Sequence, residues 1–132
     1  MKKLLVFSIA LMLYSCGQPG STTDTSGLLD PKAFADKLKS DPEIILLDVR
    51  TPEEMQSGYI TGARNINFNA EGFANSIDSL DRSKTYFVYC AAGKRSGKAL
   101  DLMKEKGFQK VTSLDGGMNA WNKEELPVQK PN

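Results

Sequence analysis

Histidine is absent from this chain of 132 residues, and cysteine occurs only twice, at Cys16 and Cys90. Without histidine, the chain lacks the Cys–His and Ser–His pairs of many proteases and hydrolases, and it has no imidazole metal ligand. If Cys16 carries lipid, no disulfide can form within the folded part. A reactive Cys90 would therefore have to be activated by backbone dipoles and nearby charge.

Blocks of one charge sign are also lacking. The 17 basic and 16 acidic residues give a formal net charge of +1. A nucleic-acid-binding surface normally shows itself as a cluster of lysine and arginine. We therefore expect no nucleic acid among the partners of this protein.

The apolar run near the N-terminus is too short to span a membrane. Leu4–Leu13 is ten residues long and follows Lys2 and Lys3, whereas a spanning helix needs about 20 apolar residues. A basic start followed by a short apolar run is typical of a secretory signal peptide. The sequence predicts such a peptide over residues 1–15.

The end of this run resembles the lipoprotein box of bacteria. In that motif a cysteine receives lipid and becomes the first residue of the mature protein after the signal peptide is cleaved. The segment is Leu13-Tyr14-Ser15-Cys16. The alternative is ordinary cleavage nearby, with Cys16 discarded or left free. Residues 17–27 have no apolar side chain to bury, which favours a flexible tether. We expect a lipidated Cys16 and a tether over residues 16–27, in an exported lipoprotein anchored to the membrane and facing the periplasm.

Residues 28–129 alternate short apolar runs with helical patterns. Strands are predicted at Ile44–Val49, Thr85–Tyr89 and Lys110–Leu114, with a shorter candidate at Asn65–Phe68. Helices are predicted over residues 31–40, 52–56, 70–80, 96–106 and 118–121, with a turn at Gly116-Gly117 before the last one. Their end signals are Asp30 as the N-cap of the first helix, a capping box of Thr51 and Glu54 at the second, and a Schellman stop at Gly107 and Phe108 after the fourth. Alternation of this kind predicts one α/β domain over residues 28–129, with a mainly parallel central sheet flanked by helices.

The most informative segment joins a predicted strand to a predicted helix. It reads Cys90-Ala91-Ala92-Gly93-Lys94-Arg95-Ser96. The free N–H groups of such a loop and the dipole of the helix favour a thiolate. Lys94 and Arg95 add positive charge, so we expect the pKa of Cys90 to lie below its ordinary value of about 8.5. We interpret Cys90 as a nucleophile; the alternative is a buried, inert cysteine.

Four ordered elements of the sequence together resemble a single-domain rhodanese, a sulfurtransferase module. They are Leu47-Asp48-Val49-Arg50 with Pro52, Glu54 and Gly58; Ile60 to Ile66; the Cys90 loop; and Leu114-x-Gly116-Gly117-Met118-x-x-Trp121 with Leu126-Pro127-Val128. The resemblance covers about Leu28 to Val128. Two positions depart from the family pattern, since Tyr59 stands where histidine is frequent and Glu125 where glycine is common.

The resemblance implies a carrier of sulfane sulfur that needs neither a metal nor an organic cofactor. The Cys90 thiolate would attack a small donor, thiosulfate or a persulfide, and keep its outer sulfur as a Cys90 persulfide. A thiol or cyanide acceptor would then remove that sulfur. A covalent intermediate between two half-reactions predicts ping-pong kinetics.

The neighbours of Cys90 have two possible roles each. Lys94 is either a solvated lysine or a group that attracts anionic donors. Arg95 is either a loop scaffold that also supports the thiolate electrostatically or a group that contacts the donor directly. Ser96 is either the N-cap of the following helix or a hydroxyl that faces the sulfur. Asp48 and Arg50 are candidate supporting residues, and Arg50 is expected to pair with Glu54 four residues later.

Loop length separates sulfur transfer from related chemistry. Related phosphatases and arsenate reductases place five residues between cysteine and arginine, whereas Ala91, Ala92, Gly93 and Lys94 make four here. A narrower cradle fits one sulfur atom better than a phosphate. Two alternatives stay open: a binding module that delivers persulfide without turning over small donors, and a phosphatase- or arsenate-reductase-like enzyme.

Overall fold

A computed structural model describes residues 27–132, in which five strands alternate with five helices. In chain order they are β1 (Leu28–Leu29), α1 (Pro31–Ser40), β2 (Ile45–Asp48), α2 (Pro52–Met55), β3 (Arg64–Asn65), α3 (Phe73–Asp78), β4 (Tyr86–Tyr89), α4 (Lys94–Glu105), β5 (Val111–Leu114) and α5 (Gly117–Lys123). The signal peptide, the Cys16 lipidation site and most of the tether, all predicted from the sequence, lie outside the described residues. Within residues 27–132, no helix combines the length and apolar character needed to cross a membrane.

The strands form one sheet in the order β1-β5-β4-β2-β3, and every neighbouring pair is parallel. The strand β4 lies at the centre, and its four residues are all buried. Because parallel strands all end at the same edge, the residues that follow β2 and β4 come together there. The α/β class and the parallel sheet predicted from the sequence are confirmed.

Each face of the sheet is covered by helices. Alternate residues of β2 and β4 point to opposite faces: Leu47 and Val88 join one buried cluster, and Leu46 and Phe87 join the other. The first cluster includes side chains of α3 and α4, and the second includes side chains of α1 and α5. The strands are therefore buried on both sides, which explains their nearly continuous apolar sequences.

The ends of three helices agree with the capping signals in the sequence. Asp30 accepts a hydrogen bond of 3.0 Å from the N–H of Ala33 at the start of α1. Thr51 and Glu54 form the expected capping box at α2. After α4, the N–H of Phe108 donates to the carbonyl of Met103 at 3.0 Å, which is the predicted Schellman stop.

Several predicted boundaries are wrong. The helix α3 covers Phe73–Asp78 rather than residues 70–80, and β3 covers Arg64–Asn65 rather than residues 65–68. The helix α5 continues to Lys123, two residues beyond its predicted end. The helix α4 begins at Lys94 instead of Ser96, because Gly93 adopts the left-handed conformation (φ of 95°) and takes the N-cap position.

Candidate active site

Cys90 directly follows β4, at the carboxyl edge of the sheet. Its neighbour across the sheet is the end of β2, where Asp48 pairs in register with Tyr89. Residues 91–93 form a short loop, and α4 starts immediately afterwards. Cys90 is a free cysteine and only 1% exposed, so its reactivity depends on what surrounds the sulfur.

The first turn of α5 holds the backbone of this loop. The N–H of Met118 donates to the carbonyl of Cys90 at 2.8 Å, and the N–H of Asn119 donates to the carbonyl of Ala91 at 2.9 Å. The approach is so close that a Cβ atom on Gly117 would lie 2.5 Å from the carbonyl oxygen of Cys90. The sequence assigned only a turn to Gly116 and Gly117, but Gly117 also makes room for the loop.

With the carbonyls of Cys90 and Ala91 bound to α5, hydrogen-bond donors converge on the sulfur. The N–H of Gly93 donates to Sγ of Cys90 at 3.1 Å. Burial alone raises the pKa of Cys90. Hydrogen bonds lower it: the donors are the hydroxyl and N–H of Ser96 and the N–H groups of Ala92 and Gly93. The hydrogen bonds outweigh the burial, and the pKa of Cys90 lies below its ordinary value. A cysteine that serves only as a small buried apolar residue does not need hydrogen-bond donors around its sulfur, so this arrangement favours the nucleophile.

The two basic side chains of the loop differ in exposure, since Arg95 is half-buried. Lys94, the first residue of α4, is exposed, as is Ala92, while Ala91 is half-buried. Arg95 interacts electrostatically with Cys90. The sequence predicts that these two charges add to the effect of the loop N–H groups, and in the structure hydrogen bonds lower the pKa of the thiol.

Arg95 forms a two-point ion pair with Glu54. Its Nη1 donates to Oε2 at 2.8 Å, and its Nη2 donates to Oε1 at 2.7 Å. The same Glu54 accepts the N–H of Thr51 at 2.9 Å within the capping box. The ion pair therefore ties α2 to the start of α4, and it fixes one edge of the arginine.

Arg50 does not pair with the carboxylate of Glu54, so that prediction is wrong. Its Nη2 lies 2.7 Å from Oδ2 of Asp48, and its Nε donates to Oδ1 at 3.0 Å. Arg50 also donates to the backbone carbonyls of Glu54 at 3.3 Å and Gly58 at 2.8 Å. A carboxylate as fully buried as that of Asp48 requires a partner, and Arg50, two residues on, provides it. This pair holds the segment between β2 and α2, which is a supporting role.

Ser96 is not the N-cap of α4, because Gly93 occupies that position. The Ser96 side chain is fully buried, and its hydroxyl is placed to donate to the Gly93 carbonyl at 3.3 Å or to the sulfur of Cys90. The second predicted role, a hydroxyl that faces the sulfur, agrees with this placement. Ser113 of β5 donates to Ser96 Oγ at 2.9 Å, a contact that no motif in the sequence indicates.

The arrangement suits a thiolate that attacks without help from a base. Its donors are fixed backbone N–H groups and one hydroxyl, and they need no reorganisation when charge is present on the sulfur. Among residues 27–132, no group of three cysteine or acidic side chains is placed to hold a metal ion.

The ion pair between Arg95 and Glu54 leads to a prediction about acid stability. Hydrogen bonds from Arg95 lower the pKa of Glu54 from 4.5 to about 2. A carboxyl whose pKa is lower in the folded chain stabilises the fold above its unfolded pKa, and this stabilisation disappears as the pH falls from 4.5 towards 2. In Arg95→Gln, the Glu54 pKa measured by NMR titration should rise towards 4.5.

The matching unfolding experiment compares two glutamate variants. Glu54→Gln should lose less stability than the wild type on acidification across this range, measured by urea unfolding at several pH values. Glu53→Gln, which changes the exposed neighbouring glutamate, is the control and should behave as the wild type. If Glu54→Gln lost as much unfolding free energy between pH 4.5 and 2 as the wild type does, the ion pair with Arg95 would not be the source of this acid sensitivity.

The contact of Gly117 with the loop leads to a second prediction. In Gly117→Ala, the new methyl group meets the Cys90 carbonyl at 2.5 Å, and the positive φ of 58° adds strain. We expect a loss of about 1–3 kcal/mol in the free energy of unfolding and slower alkylation of Cys90. Gly97→Ala is the matched control, because a Cβ atom there meets nothing within 4 Å and alanine favours a helix by about 1 kcal/mol. Equal alkylation rates in both variants would show that Gly117 does not position the loop.

Comparison with known proteins agrees with the fold. A family model described as "Rhodanese-like domain" matches residues 30–124. The chloroplastic thiosulfate sulfurtransferase 16 of Arabidopsis thaliana is 38% identical over 93 residues, covering 63% of this chain and 78% of the relative. The thiosulfate:glutathione sulfurtransferase of Saccharomyces cerevisiae is 31% identical over 94 residues, covering 63% of this chain and 68% of the relative.

A solved structure leads to the same family. The crystal structure of a rhodanese-like domain protein from Staphylococcus aureus superimposes with a TM-score of 0.68 at 28% identity, and the match covers 80% of this chain and 98% of that structure. The chain therefore belongs to the rhodanese-like domain family, a single such domain makes up most of it, and its relatives identify it as a transferase of sulfur.

Proposed function

We propose that this protein transfers sulfane sulfur from thiosulfate or a persulfide donor to a thiol or to cyanide, by way of a Cys90 persulfide. One observation carries the proposal: the buried Sγ of Cys90 accepts the N–H of Gly93 at 3.1 Å. An N–H group directed at a sulfur stabilises negative charge on it, and the thiolate is the form that attacks.

The reaction has two displacements. In the first, the Cys90 thiolate attacks the outer sulfur of thiosulfate; a new S–S bond forms, the S–S bond of the donor breaks, and sulfite leaves with the electron pair. The product is the persulfide anion of Cys90. In the second, an acceptor thiolate or cyanide attacks the outer sulfur of this persulfide and releases the Cys90 thiolate. Charge and atoms balance in both steps, and neither step consumes a proton.

The shape of the site favours a small donor. Because Cys90 is 1% exposed, only a narrow terminal atom of a donor can reach Sγ, and the neighbouring side chains of Ala91 and Ala92 are small. Lys94 is exposed at the start of α4, where its positive charge can attract an anion such as thiosulfate. Two relatives carry thiosulfate in their names, and one carries glutathione, a thiol; both support these donor and acceptor classes.

The ion pair of Arg95 occupies part of the group that would bind a phosphate. An arginine that clamps a tetrahedral oxyanion uses a pair of parallel N–H groups. In this chain Nη1 and Nη2 of Arg95 both donate to Glu54, at 2.8 and 2.7 Å. Glu54 therefore takes one edge of the guanidinium, and the short loop, with four residues between Cys90 and Arg95, is the feature that favours sulfur over phosphate as the transferred group.

Intact mass spectrometry of the full chain tests the proposal. Incubation with thiosulfate should add the mass of one sulfur atom, and later addition of cyanide or a thiol should remove it. Cys90→Ser preserves the shape of the side chain and should gain no sulfur. Absence of the added mass in the wild type would overturn the proposal.

Two further assays, of thiosulfate turnover and of aryl phosphate hydrolysis, separate the alternatives. A full mass gain with negligible turnover of thiosulfate would indicate a module that delivers persulfide to a partner protein. Hydrolysis of an aryl phosphate by the wild type, lost in Cys90→Ser, would favour the phosphatase-like function and contradict sulfur transfer.

We also propose that the protein is an exported lipoprotein, anchored through lipid on Cys16 and facing the periplasm. The support is the sequence of residues 1–27, which places a basic start, a short apolar run and a lipoprotein box before a polar tether. Expressed in a bacterium supplied with labelled fatty acid, the full chain should carry label and sediment with membranes.

Cys16→Ser is the decisive variant for this localisation. It should lose the label and leave the membrane fraction, because the substituted side chain has no thiol to receive the lipid. Cys90→Ser, which also removes one thiol, should keep both properties. Label that remains in Cys16→Ser, or that is missing from the wild type, would overturn the lipoprotein proposal.

A further inference from the structure

Two buried hydroxyl groups lie behind the sulfur of Cys90. Ser96 belongs to α4 and Ser113 to β5, and both residues are completely buried. Ser113 Oγ donates to Ser96 Oγ at 2.9 Å. The contact joins the sheet to the first turn of the helix that carries the donors of the active-site loop.

Ser113 is held in place by the sheet. It pairs with Leu28 of β1 on one side and with Val88 of β4 on the other. Its N–H also donates to the carbonyl of Gly27 at 2.7 Å. Because strands flank it on both sides, the hydroxyl of Ser113 has a fixed position relative to the sheet.

We propose that Ser113 is a positioning residue, which directs the hydroxyl proton of Ser96 towards the sulfur of Cys90. The inference rests on the part of the proposed function in which Cys90 is the nucleophile. Ser113 does not touch the sulfur, and it acts only through Ser96.

The direction of the Ser96 hydroxyl follows from a count of protons. Each serine hydroxyl has one proton to donate. Ser113 donates its proton to Ser96 Oγ, so Ser96 must donate its own proton to another acceptor. Its two acceptors are the Gly93 carbonyl, at a long 3.3 Å, and the sulfur. A charged acceptor forms the stronger hydrogen bond, so a thiolate at Cys90 attracts the proton.

Packing alone does not explain a serine at position 113. Burying a hydroxyl costs free energy unless it is hydrogen-bonded, and Val111, two residues earlier on the same face of β5, is apolar and buried. The charged group that interacts with Cys90 from α4 is Arg95, which in turn interacts with Asp48 of β2. Removing the hydroxyl of Ser113 alters neither charge.

The test follows the rate of alkylation of Cys90 by iodoacetamide as a function of pH, in the full chain. In Ser113→Ala, the Ser96 hydroxyl can turn away from the sulfur, and the midpoint of the profile should move to higher pH. We expect alkylation below the midpoint to slow about three-fold, which corresponds to about half a pH unit. Ser96→Ala should shift the midpoint at least as far.

A double variant tests whether Ser113 acts through Ser96. Ser96→Ala combined with Ser113→Ala should have the midpoint of Ser96→Ala alone, since no hydroxyl is left for Ser113 to direct. Val111→Ala is the control for lost packing in β5, and it should lower the melting temperature without moving the midpoint. Additive shifts in the double variant, or an unchanged midpoint in Ser113→Ala, would overturn the proposal. Because alkylation requires no sulfur donor, this result is independent of whether sulfur transfer occurs.

Discussion

The contact between the start of α5 and the Cys90 loop is the constraint on which the site depends. The carbonyls of Cys90 and Ala91 accept the N–H groups of Met118 and Asn119 at 2.8 and 2.9 Å. These bonds satisfy free donors of a helix end, and they also fix the direction of the loop's peptide groups. The N–H of Gly93 can then reach the sulfur at 3.1 Å. The glycine at 117 is therefore as much a part of the thiolate site as the residues beside the sulfur.

Two ion pairs keep this loop in place relative to the rest of the sheet edge. The pair between Asp48 and Arg50 is buried and holds the chain after β2. The pair between Arg95 and Glu54 is half-exposed and connects α2 with α4. Screening by solvent makes the second pair the weaker one, so we assign it an orienting role. Both arginines are occupied by carboxylates, and the charge on the sulfur is therefore stabilised mainly by dipoles.

The sequence is sufficient for the parts of this site that depend on local patterns. The strand end, the glycine with positive φ and the capping box of Thr51 all follow from residue type and spacing. Partners that are distant in the chain do not. Arg50 pairs with Asp48 rather than Glu54 because a buried carboxylate needs a counter-charge, and burial depends on the complete fold. The role of Ser113 could not be predicted from the sequence, because a single serine in a strand belongs to no motif. Only the structure shows that its hydroxyl lies 2.9 Å from that of Ser96.

The absence of histidine, at first a simple exclusion, fits the chemistry of the proposed reaction. Ester hydrolysis usually requires an acid to protonate the leaving group, and the carboxyl groups of Asp48 and Glu54 are both paired with arginine. Glu54, with a pKa of about 2, stays ionised at neutral pH and cannot supply a proton. Displacement of sulfite from thiosulfate requires none, because sulfite leaves as a stable anion. A site made of fixed donors, without an acid or a base, is therefore adequate for sulfur transfer and poorly suited to hydrolysis.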